Sequence, residues 1–190
     1  MKKTGKTLTL SGQMAPRLFG EQLFRNPKTI LEYANVLDIN KAWKVKDFKC
    51  WIQETGNELA KPSTIAGGVF GLDVQLSTDD IPYSKDWNNA GDNRAIGWGT
   101  LSYYLTNGVY KPQSFSGFSR MLMHSEYFMH PDHLVQNKLT ISAAALGDST
   151  IENLNRYTLN YIVYLEEYDI TPIESIVFNI KGKAQDLSFP

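Results

Sequence analysis

Three histidines, His124, His130 and His133, fall within ten residues, with Glu126 and Asp132 among them. Imidazole and carboxylate groups at that density could hold a divalent metal and activate a bound water. The spacing argues against it. A zinc-protease motif places two histidines one turn apart on a helical face, and Pro131 breaks any helix here. A cupin-like site needs a His-x-His pair and a distant glutamate on paired strands, which this segment does not offer. The better reading is a loop leading into a strand at Leu134, with its histidines hydrogen-bonded or at an interface.

Other chemistry-bearing residues are as spare. Cys50 is the one cysteine, so neither an intrachain disulfide nor a cysteine-based metal site is possible. It shares strand parity with Phe48 and Ile52, which reads as a packed core thiol rather than a nucleophile. No Gly-x-Ser-x-Gly elbow and no phosphate-binding glycine loop occurs. Gly97-Trp98-Gly99 reads as a strand with close backbone packing. Asp79-Asp80 and Glu166-Glu167 are sequence neighbours. If the second pair sits in a strand, its side chains point to opposite faces and cannot share a substrate. No catalytic residue, resident metal or cofactor is expected.

Charge is nearly balanced over 190 residues, at −1 net. Its distribution is not even. Residues 1–28 carry Lys2, Lys3, Lys6, Arg17, Arg25 and Lys28 against Glu21, an excess of five that leaves the rest at −6. These six cations are candidate contacts to nucleic-acid phosphates, which would make binding salt-dependent. With 42% hydrophobic and 21% charged residues, the composition suits a globular domain. No apolar run approaches the roughly 18 residues of a membrane span, nor the apolar core of a secretory signal, so no membrane partner is expected.

The elements that must position these residues are mostly strands. Phe70, Leu72, Val74 and Leu76 alternate with polar residues, as do Tyr157, Leu159, Tyr161, Val163 and Leu165. Val135, Leu139, Ile141, Ala143 and Ala145 mark a third strand, and Ile96 through Tyr104 a fourth. In the segment 43–52, Trp43 and Val45 lie on one parity but Phe48, Cys50 and Ile52 on the other, which predicts a β-bulge near Lys46–Asp47. Breaks at Gly5, Gly12, Pro16 and Gly20 make residues 1–26 an expected arm, and Asn26-Pro27 could begin a short helix over Ile30, Leu31 and Ala34. Long connections at 55–67, 77–93, 106–130 and 146–155 suit a Greek-key or jelly-roll sandwich.

One helix is expected near the end. Thr171-Pro172-Ile173-Glu174 supplies a cap, a first-position proline and a glutamate at the third position. Ile173, Ile176, Val177 and Ile180 follow at helical spacing, and Gly182 could stop the helix. Its β-branched residues make it dependent on docking, over a sheet edge or against a neighbour.

Three segments in order, Asp92-Asn93-Arg94-Ala95-Ile96-Gly97-Trp98, Pro131-Asp132-His133-Leu134-Val135 and Asn160 to Thr171, together with Ile180 to Asp186, resemble capsid proteins of small circular single-stranded DNA viruses. The resemblance covers about residues 90–187. It implies a single jelly roll that self-assembles into an icosahedral shell of roughly sixty or more copies around a genome. One departure is plain: the arm has isolated cations and no arginine run.

The expected fold is all-β: an antiparallel two-sheet sandwich of jelly-roll topology over 27–190, with a short C-terminal helix and an N-terminal arm over 1–26. The expected function is a viral coat subunit located in the virion, partnered with itself and with single-stranded DNA through the arm. Ile162, Tyr164, Tyr168, Ile173 and Val177 are the expected subunit contacts, being apolar or aromatic on faces otherwise polar. The alternatives are a β-sandwich module for carbohydrate or a receptor, using Trp87, Trp98, Tyr103 and Tyr104 for stacking, and third, a metal-dependent enzyme on His124, Glu126, His130 and His133.

Overall fold

The period-two runs become long antiparallel strands. The computed structural model describes residues 1–14, 17–19, 22–24, 27–32, 40–53, 68–81, 89–105, 120–146 and 158–184. In chain order these give β1 (Lys2–Met14), β2 (Arg17–Phe19), β3 (Gln22–Phe24), β4 (Lys28–Glu32), β5 (Lys41–Gln53), β6 (Gly68–Ser77), β7 (Ala95–Leu105), β8 (Arg120–Met129), β9 (Lys138–Leu146), β10 (Thr158–Asp169) and α1 (Pro172–Ala184). Two main antiparallel sheets form, of order β1-β10-β5 and β4-β9-β6-β7-β8, while β2 and β3 make a separate small hairpin.

The sheets meet over one core. Val45, Phe48, Leu159, Tyr161, Val163 and Leu165 come from the smaller sheet, and Leu72, Val74, Leu76, Leu101, Leu139 and Ile141 from the larger. The expected bulge lies in β5: Tyr164 pairs with Asp47 and Leu165 with Val45, leaving Lys46 as the extra residue. That one residue switches parity, so Val45 before it and Phe48 and Cys50 after it are all buried.

Gly97 and Gly99 on β7 admit the Phe48 ring. A Cβ at Gly99 would stand 2.7 Å from Tyr127 Cδ1 and 3.3 Å from Phe48 Cε2, and one at Gly97 would stand 2.7 Å from Met129 Sδ. Phe48 and Tyr127 pack edge to face at 5.0 Å and 81° in the space the glycines leave.

Three expectations change. Residues 28–32 form strand β4 on β9 rather than a helix; a register shift between Thr29 and Leu31 lets the adjacent Ile30 and Leu31 both pack on the core. The connection assigned to 106–130 ends early, because Arg120 to Met129 is β8, an edge strand whose exposed His124, Ser125 and Glu126 hide its periodicity. The helix runs past Gly182 to Ala184. Within the segment expected as an arm, Lys2–Met14 is β1, paired along β10 from Lys2 opposite Asp169 to Met14 opposite Leu159. The connections 55–67, 82–88, 106–119 and 147–157 lie outside the described residues.

The free edge of β5 is closed by β8 and by the connection from β8 to β9. Trp43 exchanges two backbone hydrogen bonds with Val135, both 2.8 Å. Val45 N–H donates to His133 Nε2 at 3.0 Å, and Cys50 bonds through both its amide and its carbonyl to the Tyr127 hydroxyl. An open edge would expose such groups as a template for mispairing.

Candidate functional site

The histidine cluster is dispersed by the fold. His124 and Glu126 are exposed on β8, 3.3 Å apart, and six extended residues put His124 roughly 20 Å from His130. His133 is buried, and both ring nitrogens are engaged: Nδ1 donates to the His130 carbonyl and Nε2 accepts from Val45. That fixes a neutral tautomer, and burial holds its pKa below the ordinary value. His130 Nδ1 accepts from the Asp132 amide at 3.1 Å. Asp132 in turn pairs with Lys181 at 3.0 Å, which holds its carboxyl below the usual range. Among the described residues no three His, Cys, Asp or Glu side chains gather as metal ligands. Between this loop and α1 lies a cavity of about 40 Å³, lined in part by Thr78, Asn93, His130, Asp132, Phe178 and Lys181. That is room for a water or two, far below a small-molecule site.

Cys50 is buried, and desolvation pushes its thiol up to about 12. A nucleophilic cysteine needs the opposite shift. Asp79 and Asp80 both reach Lys138, at 3.9 and 2.7 Å.

Glu166 and Glu167 point to opposite faces of β10, and each is enclosed by lysines. Glu166 pairs with Lys3 at 2.6 Å and Lys46 at 3.5 Å, and the Lys3 ammonium holds its carboxyl below the usual range. Glu167 accepts from Thr4 Oγ1 at 2.9 Å, with Lys6 and Lys41 at 3.7 and 4.0 Å. The loop of β1 between Lys3 and Thr7, turning at Gly5 with φ +90°, wraps this carboxylate. Lys3 and Lys6 meet glutamates, and Lys28 donates to the Gln13 carbonyl at 2.6 Å and lies over the Tyr161 ring. Lys2 is exposed. Arg17 lies in β2, and Arg25 falls outside the described residues.

Apolar side chains at two places face outward. On the outer face of the smaller sheet, Ile162, Tyr164 and Trp51 are exposed, with Trp51 opposite Asn160 and Lys49 opposite Ile162. Trp51 was not read from the sequence as a contact, because its neighbours alternate across the strand. Tyr168 is half-buried, its hydroxyl donating to Glu166 at 3.3 Å. The larger sheet differs: its second face holds Gln75, Ser77, Thr140 and Ser142, all buried.

The second surface is α1. Thr171 Oγ1 accepts from Glu174 N–H while Glu174 Oε2 accepts from Thr171 N–H at 2.8 Å, the expected capping box. The helix docks through Ser175, which accepts from Gln136 Nε2 at 2.6 Å, and through Phe178, packed on Ala42, Leu134 and Ile170. Its apolar stripe points the other way: Ile173 is 74% exposed, Ile176 57%, Val177 52% and Ile180 61%.

Comparison with protein-family models, curated proteins and solved structures finds no match to this chain. The site is therefore read from its own geometry. Of the aromatic residues considered for ligand stacking, Trp98 is half-buried in β7, the side chains of Tyr103 and Tyr104 are not described, and Trp87 falls outside the described residues. The described surface thus exposes an apolar helix face on α1 and a patch of Trp51, Ile162 and Tyr164 on the outer face of the smaller sheet.

Proposed function

We propose that this chain is a structural subunit that assembles with copies of itself: a coat protein whose single jelly-roll domain closes into a small icosahedral shell, the virion being its place of action. Strand pairing supports the jelly-roll part. Setting aside the β2–β3 hairpin, β1 pairs with β10, β4 with β9 and β6 with β7, three of the four nested pairs of such a roll, while β8 pairs with β7 and reaches β5 through the Tyr127 hydroxyl. A folded antiparallel ribbon rolled on itself pairs its strands in that way.

One observation carries the functional part. Four β-branched aliphatic residues of α1 face solvent while the opposite side of the same helix is docked. Amphipathic helices put such stripes inward, and contiguous exposed apolar strips mark contact surfaces. Self-association ranks ahead of genome contact, because Lys3, Lys6 and Lys28 already serve internal partners. The resemblance over residues 90–187 supplies the coat-protein class. Negative-stain micrographs of purified protein test the proposal: uniform closed particles support it, and a field empty of particles under every salt and concentration tried counts against it.

A further inference from the structure

The apolar stripe of α1 is symmetric about its own middle. Ile173 and Ile180 each stand three residues outside the central pair Ile176 and Val177, so turning the helix end for end lays the stripe on itself. A surface that is its own complement under a two-fold rotation is what an isologous contact requires. We infer that α1 pairs with α1 of a second copy, antiparallel about a two-fold axis between Ile176 and Val177. This rests on the self-assembly reading and names one of its contacts.

Charge selects the direction. Glu174 and Lys181 are seven residues apart, two turns along one flank of the stripe. In an antiparallel pair that flank meets the same flank of its partner, which sets Glu174 beside the partner's Lys181 twice over, within about two residues of axial register. A parallel pair brings it against Pro172 and Asn179 and forgoes both contacts. Antiparallel packing also sets the two helix dipoles head to tail. Both groups have internal partners, Thr171 and the Met1 ammonium at 3.2 Å for Glu174 and Asp132 for Lys181, yet their side chains remain 34% and 48% exposed.

The helix is ready for such a contact. Ser175, Phe178 and the Lys181–Asp132 pair hold its inner side, and Asn93 Nδ2 donates to the Lys181 carbonyl at 3.2 Å. Ile and Val side chains have restricted χ1, so little conformational freedom is lost on pairing. The strip is smaller than the about 800 Å² per partner of a standard interface. Alone it makes a weak dimer, reinforced in a shell by the other contacts each copy makes.

The test uses the full chain. The double variant Ile176→Glu, Val177→Glu is expected to weaken two-fold pairing at least tenfold in sedimentation equilibrium, with unchanged near-ultraviolet dichroism because both side chains are solvent-facing. Ile173→Cys and Ile180→Cys proteins, mixed and mildly oxidised, are expected to form the 173–180 disulfide well above either homodimer; the buried Cys50 does not compete. Equal or dominant 173–173 linkage overturns the antiparallel pairing. A double variant that builds particles at wild-type yield and rate overturns the inference and leaves self-assembly standing. A wild-type protein that never associates removes both.

Discussion

The Tyr127 hydroxyl on β8 donates to the carbonyl of Cys50 on β5 at 2.8 Å and accepts from the Cys50 amide at 2.9 Å. One side chain thus stands in for a neighbouring strand at the edge of the smaller sheet. The same ring packs edge to face on Phe48, so the bond and the core are set by one residue.

Tyr127→Phe keeps the ring and removes the bond. Leaving two backbone groups of β5 unpaired at this half-buried position is expected to cost about 1–3 kcal/mol. Urea unfolding measures it; an unchanged midpoint would mean that water replaces the hydroxyl at no loss.

The two glycines of β7 should not respond alike. Both added methyls come within 3.3 Å of the Phe48 ring, but Gly99→Ala also drives into the rigid Tyr127 ring, whereas Gly97→Ala meets the flexible end of Met129. Overpacking of this kind costs about 1–3 kcal/mol, and thermal melts are expected to rank Gly99→Ala as the more damaging. The reverse order would contradict the packing described for Tyr127.

Deleting Lys46 removes the bulge. Either Trp43 and Val45 or Phe48 and Cys50 must then turn outward, since a one-residue slip reverses every side chain beyond it. The deletion is expected to abolish cooperative unfolding, whereas Lys46→Ala, which keeps the residue count, is expected to stay within about 1 kcal/mol of the parent. Circular dichroism of both proteins checks this.

His133 gives stability a pH dependence of known sign. Its folded pKa lies below the ordinary 6.5, chiefly through burial. The unfolded chain therefore takes up a proton first, and this contribution is complete above about pH 6.5 and declines as pH falls through the folded value. Glu166 and Glu174, whose folded values are also lowered, add losses only below their ordinary 4.5. Denaturant midpoints between pH 7 and 5 are expected to fall, and His133→Gln to flatten that part of the profile. A midpoint that rises toward pH 5 would assign His133 the wrong protonation state.

Much of this was legible in the sequence, for identifiable reasons. The parity conflict between Val45 and Phe48 pointed to the bulge, because a strand covered on one face can bury both only with an extra residue between them; coverage of both faces was the alternative. Thr171 and Glu174 marked the helix start through their own side-chain chemistry. Gly97 and Gly99 suggested close packing, though not which ring they admit. Other features depend on non-local pairing. Ile30 and Leu31 carry no period of their own, and only β9 makes them a strand. β8 is an edge with its polar residues in water, so alternation is faint. The separation of His124 from His130 follows from that strand, and the role of His133 from the edge of β5 it closes. The stripe on α1 is apolar by composition alone; which way it faces depends on Ser175 and Phe178 taking the docked side.

Whether the chain associates with copies of itself decides its role, and sedimentation velocity of the purified protein measures that. The expected result is a boundary that moves with concentration from the 21.5 kDa subunit toward a large closed species. A single 21.5 kDa boundary, unchanged across protein concentration and salt, would make the chain a monomer and remove the coat-subunit proposal.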